Sequence, residues 1–138
     1  MKHQSIIVKS RRKQLSYLFG VQYIHIQKLK AQIDNNGFFL LVDCREEDEF
    51  SNEHITKAMN IPRGLLEFSN KLENKNERIF LYSDSLNRAV LGAAALQKLD
   101  YKRVFVLKDG FNSWKIKFPK EIEKSKLDEE TKEESGCG

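Results

Sequence analysis

Three continuous apolar runs constrain the fold of this chain more than any other feature: Phe38-Phe39-Leu40-Leu41-Val42, Ile79-Phe80-Leu81-Tyr82 and Val104-Phe105-Val106-Leu107. Each has the length of a strand, and none alternates polar with apolar residues. Runs of this kind need a sheet covered on both faces. The segments between them carry helical spacing. Ile26, Leu29, Lys30 and Ile33 form a short stripe closed by the Asn35-Asn36-Gly37 turn signal. Leu65, Leu66, Phe68 and Leu72 also recur at helical intervals before Asn74-Lys75-Asn76 interrupts them. Residues 89–99 read as the clearest helix, where Gly92 beside Ala93, Ala94 and Ala95 offers a small-residue face for close approach to a sheet. Strands alternating with helices predict an α/β domain built on a parallel sheet.

A chain of 138 residues with 40% apolar content suits one domain with a real core. Its ends read differently. Residues 1–22 form a basic extension with Lys2, Lys9, Arg11, Arg12 and Lys13, no acid before Asp34, and a helical face at Leu15, Leu18 and Phe19. Ser16, Gln22 and His25 interrupt the apolar residues near that segment, which makes it poor as a secretory core and too short and polar to span a bilayer. The expectation is a cytoplasmic protein with no membrane partner. No aromatic or glycine pattern of an RNA or DNA reader accompanies the basic arm, so no nucleic-acid partner is expected. From Lys120 the composition turns to lysine and glutamate, and residues 120–138 read as a helical fringe fraying into a disordered tail. The domain is therefore expected over 23–119. Cys44 and Cys137 make no disulfide framework, and His3, His25 and His54 lack metal-ligand spacing, so neither a metal nor another cofactor is expected.

In parallel sheets ligands gather at the carboxyl ends of strands, which points to the segment after Tyr82. It reads Ser83-Asp84-Ser85-Leu86-Asn87-Arg88. Upstream lie Asp43-Cys44-Arg45, Glu49-Phe50, His54-Ile55 and Ala58-Met59-Asn60-Ile61-Pro62; downstream lies Leu107-Lys108-Asp109-Gly110-Phe111-Asn112-Ser113-Trp114. Across about residues 24–118 these motifs resemble a rhodanese-like domain, although Glu53 and Asp109 stand where the family usually has glycine. The resemblance implies a central parallel sheet of about five strands with helices on both faces. It also implies a six-residue loop, Cys-x-x-Gly-x-Arg, of the sulfurtransferase length; the phosphatase branch needs a cysteine and one residue more. The loop's amides and the following helix N-terminus would hold a persulfide or another anion.

Ser83 occupies the position of the family's nucleophilic cysteine. Sulfur transfer needs a thiolate, and a hydroxyl with no neighbouring histidine to serve as base is no substitute. Leu86 replaces the loop glycine, so if the native loop needs a positive φ there, this loop must be reshaped or strained. Asp84 adds a carboxylate that opposes anion binding, while Arg88 pairs either an anion or a carboxylate such as Asp43 or Glu49. A single cysteine-to-serine change would account for Ser83 but not for Leu86. These residues point to an abandoned catalytic site, with Ser83, Asp84, Ser85, Leu86, Asn87 and Arg88 as an anion-binding loop. The function expected is a binding or regulatory module for a small anion, a sulfur compound or a protein partner, without thiosulfate sulfurtransferase activity.

The cysteines offer one alternative. Cys44 continues a buried strand and reads as a small hydrophobe rather than a substitute nucleophile. Cys137 lies between two glycines in the polar tail, and about 18 residues of coil after Pro119 span on the order of 20 to 25 Å. It is either a sulfur carrier docking on its own domain or on a partner enzyme, or an incidental terminal residue. His54 and Trp114 read as packing and hydrogen-bonding residues that brace the loops.

Overall fold

The computed structural model describes residues 20–124. Residues 1–19 of the extension expected over 1–22, and 125–138 of the tail expected over 120–138, with Cys137, lie outside the described residues; Val21 is buried in the core and Gln22 opens the first strand, so the end of that extension belongs to the domain. The elements run β1 (Gln22–Ile24), α1 (Ile26–Asp34), β2 (Leu40–Asp43), α2 (Glu47–Asn52), β3 (His54–Ile55), β4 (Met59–Asn60) and a 3-10 helix (Arg63–Phe68). There follow β5 (Ile79–Tyr82), α3 (Leu86–Lys98), β6 (Val104–Leu107), α4 (Gly110–Lys117), a short 3-10 turn (Pro119–Glu121) and β7 (Ile122–Glu123).

Five strands form a parallel sheet in the order β1-β6-β5-β2-β4. The three apolar runs supply its middle, and their continuous hydrophobicity has the expected cause. On one face Val42, Leu81, Val104 and Val106 pack with Leu66, Ala89, Val90, Ala93 and Leu96 from the 3-10 helix and α3. On the other, Leu41, Phe80, Tyr82 and Leu107 pack with Leu29 and Ile33 of α1 and with Phe111 and Trp114 of α4. The architecture is the α/β sheet with helices on both faces that the resemblance implies.

Three segments depart from the sequence reading. The first apolar run enters the sheet only at Leu40: Phe38 is 91% exposed, and its carbonyl accepts from Arg78 Nη2 instead of from a strand. The segment containing Leu65, Leu66 and Phe68 is a 3-10 helix, where residues three apart eclipse. Leu65 and Phe68 therefore share an outward edge while Leu66 enters the core. The third departure is at the carboxyl end, where Lys120 does not begin a fraying tail. Thr56 N and Trp114 Nε1 both donate to Glu121 O, and β7 pairs antiparallel with β3 through Ile55↔Ile122 and His54↔Glu123. Backbone hydrogen bonds order this polar stretch, so its composition does not reveal it.

Gly92 fits α3 against the sheet. A Cβ there would lie 2.8 Å from Leu66 Cδ1 and 3.6 Å from Leu81 Cδ1, both on fully buried side chains. Gly92→Val should lower stability by about 1–3 kcal/mol through overpacking, read from the urea midpoint; an unchanged midpoint would show that the helix–sheet contact is loose.

Candidate functional site

Parallel pairing of β2 with β5 sets Asp43 opposite Tyr82, so Cys44 and Ser83 leave the sheet side by side. Cys44 N donates to Tyr82 O at 2.9 Å, and Phe111 N, at the start of α4, donates to Ser83 O at 3.1 Å. Gly110 makes the turn into α4 with φ +78, a conformation that costs other residues.

Beneath this edge sits a buried ion pair. Asp43 receives hydrogen bonds from Arg45 N, Nε and Nη2 at 2.8–3.1 Å. Arg45 Nη2 also donates to Glu53 O at 2.6 Å, and its guanidinium lies 4.0 Å from the centroid of Phe111. Asn60 Nδ2 donates to the carbonyls of Asp43 and Arg45, and Ile55 N donates to Tyr82 Oη. His54 stacks on Phe50 at 3.8 Å and shares Nδ1 with Phe50 O, while Trp114 is fully buried; both brace the loops as expected. The roles of Arg45 and Tyr82 are the ones that sequence reasoning missed. The signal was available in Asp43-x-Arg45, two charged residues continuing a strand too apolar to leave either of them unpaired.

Ser83 is buried, donates from Oγ to Asp84 Oδ1 at 2.9 Å and accepts from Ser85 N at 3.4 Å. Ser85 is the N-cap of α3 and makes no side-chain cap. Leu86, Asn87 and Arg88 thus form the first helical turn rather than the second half of an open loop. Of the two outcomes expected at Leu86, the loop is reshaped rather than strained: the positive-φ non-glycine residues among those described are Asn36, Lys57 and Asp100. Winding α3 back to Leu86 removes the need for a left-handed residue. The first-turn amides have no intrahelical acceptor and sit at the positive end of the helix dipole.

Arg88 is brought to this turn but not to Asp43, which Arg45 holds. Its Nη1 lies 3.8 Å from Glu49 Oε1 and 3.9 Å from Asp84 Oδ1, with no hydrogen bond to either. Two carboxylates flank one guanidinium at the mouth of the turn.

Residues 25–117 match the model of the rhodanese-like domain. The chain belongs to that family. It is 26% identical over 95 residues to the Bacillus subtilis protein YrkF, whose name designates a sulfur carrier; the match covers 69% of this chain and 51% of YrkF, so the chain spans about half that relative's length. It is 28% identical over 102 residues to the thiosulfate sulfurtransferase GlpE of Coxiella burnetii, covering 72% of this chain and 94% of GlpE. Among solved structures, the BH2092 protein of Bacillus halodurans superposes with a TM-score of 0.68 at 26% identity, covering 85% of each chain.

In this rhodanese-like domain Cys44 provides no thiolate near neutral pH. Burial pushes the thiol up from 9.0 to about 12, with Asp43 adding to the push and Arg63 and Arg88 opposing it. Between those values the folded chain keeps a proton that the unfolded chain has released. The stability this group contributes is complete below pH 9 and is lost as the pH rises toward 12. Cys44→Ala should therefore flatten the fall of stability above pH 9 by up to about 1.4 kcal/mol per pH unit. A urea-denaturation series in pH measures this, and equal slopes for parent and variant would contradict the assignment.

Proposed function

We propose that this rhodanese-like domain lacks thiosulfate sulfurtransferase activity of its own and serves as a binding or regulatory module. In this reading residues 83–88 meet a small anion, a sulfur compound or an acidic group of a protein partner. What supports it is Ser83, which the sequence resemblance aligns with the family's nucleophilic cysteine and whose hydroxyl is bound to Asp84 Oδ1 and Ser85 N. A hydroxyl tied to a carboxylate can anchor a loop, but it holds no sulfane sulfur. The names of YrkF and GlpE support a sulfur compound as the ligand class. No helix among the described residues is long and apolar enough to cross a membrane, and a cytoplasmic location is part of the proposal.

Thiosulfate:cyanide assays on the parent, Ser83→Cys and Ser83→Cys/Leu86→Gly test the reading. The parent should be inactive. Ser83→Cys should remain weak because its loop ends in a helical turn, and the added glycine should raise activity by restoring an open loop. Turnover by the parent would overturn the proposal.

Electrostatics give a second test. Asp84 competes with any anion for Arg88, and removing a charge about 4 Å away changes the interaction by about 1 kcal/mol or more at a wet site. Asp84→Ala should tighten thiosulfate binding at least about fivefold, read by calorimetry, and Arg88→Ala should abolish it. If affinity ignores both changes, the turn is not the anion site.

A second reading places the sulfur on Cys137, and the name of YrkF favours it. It requires that any sulfur acquired by the full chain vanish in Cys137→Ala.

A further inference from the structure

The opposite edge of the sheet carries a second concave surface, remote from Ser83. Arg78 immediately precedes β5 and Arg103 immediately precedes β6, so both mark the amino ends of the parallel strands. With Lys28 of α1 they rim a cleft of about 300 Å³ whose lining includes Tyr23, Phe80 and Phe105. That volume is at the small end for ligand pockets and suits one nucleotide-sized molecule.

Lys30, Arg45, Arg63, Arg88 and Lys115 each face a carboxylate. Lys28, Arg78 and Arg103 face none among the described residues, and they converge on one cleft. Arg78 is also held in place. Its Nη1 donates to Gln32 Oε1 at 3.0 Å, its Nη2 donates to Phe38 O at 3.2 Å, and its guanidinium lies 5.9 Å from the Phe80 centroid. Gly37 leaves the space this requires, since a Cβ there would come within 3.2 Å of Arg78 Nη2. A fixed guanidinium with free neighbouring cations suits a phosphate.

The lining supplies a different chemistry beside the charge. Phe80 and Phe105 pack at 5.6 Å with a 59° tilt, Phe39 continues the row at 5.1 Å from Phe80, and Phe105 remains partly exposed, while Tyr23, in register with Val106, turns its ring to the other face of the sheet. A partly exposed ring next to cations suits a ligand with a flat ring and an anionic group, because stacking and charge pairing then act together. We propose that this cleft binds a mononucleotide-class anion, with the base against Phe105 and the phosphate among Lys28, Arg78 and Arg103. This site is independent of the loop at Ser83 and of any sulfur chemistry there.

Titration of the full chain with AMP, followed by amide and aromatic NMR shifts, tests the assignment, with adenosine and inorganic phosphate as parallel arms. AMP should give saturable shifts centred on residues 23, 28, 78, 103 and 105, and bind at least about tenfold more tightly than either fragment. Lys28→Ala and Arg103→Ala alter exposed side chains with no other bond among the described residues, and each should weaken AMP about three- to tenfold while leaving the fold intact. Absence of saturable shifts, equal binding of phosphate and AMP, or indifference to both substitutions would overturn the proposal. So would an affinity that keeps rising with oligonucleotide length instead of saturating with AMP, which would indicate a nucleic-acid surface.

Discussion

The carboxylate of Asp43 lies at the end of β2 with no access to water, and the arrangement of the sheet's carboxyl edge follows from how it is satisfied. Three donors of Arg45 neutralise it, which fixes the backbone after β2 and aims the guanidinium onto the ring of Phe111. Phe111 N in turn donates to Ser83 O, so α4 and the segment after β5 share one anchor. The carbonyl of Glu53 is drawn in as well, which sets the start of β3 and its pairing with β7. Removing either partner would leave an uncompensated buried charge, a defect worth about 3–5 kcal/mol. The pair is therefore a positional constraint more than a source of net stability.

That constraint separates scaffold from chemistry. The fold is that of a rhodanese-like domain, and at the end of β5 it presents a serine, an acid and a helical turn. Two carboxylates beside Arg88 reduce its attraction for a free anion, while the unpaired amides at the start of α3 retain theirs. At the other edge of the sheet the balance is reversed, with three cations and no acid among the described residues.

The sequence made some of this legible and hid the rest for physical reasons. Strands β2, β5 and β6 were visible because burial on both faces forces apolar residues at consecutive positions. The start of α3 was misplaced because the family's loop pattern was given more weight than local preference: Ser85 is a favoured cap residue, and Leu86, Arg88 and Ala89 behind it are good helix formers. Leu65 and Phe68 fitted a helical stripe, but the tighter 3-10 repeat turned them outward. Residues 120–124 looked disordered by composition because backbone pairing with β3 leaves no mark on side-chain polarity. The cation-rimmed cleft draws on residues 23, 28, 78 and 103, which only the sheet order brings together.

The central claim, a rhodanese-like scaffold whose loop cannot carry sulfur, is tested most directly by intact and peptide-level mass spectrometry after incubation with thiosulfate. The account predicts no gain of a sulfur atom on any peptide from residues 20–124, Cys44 included, at neutral pH. A sulfur adduct mapped to Cys44, or to the peptide bearing Ser83, would contradict it.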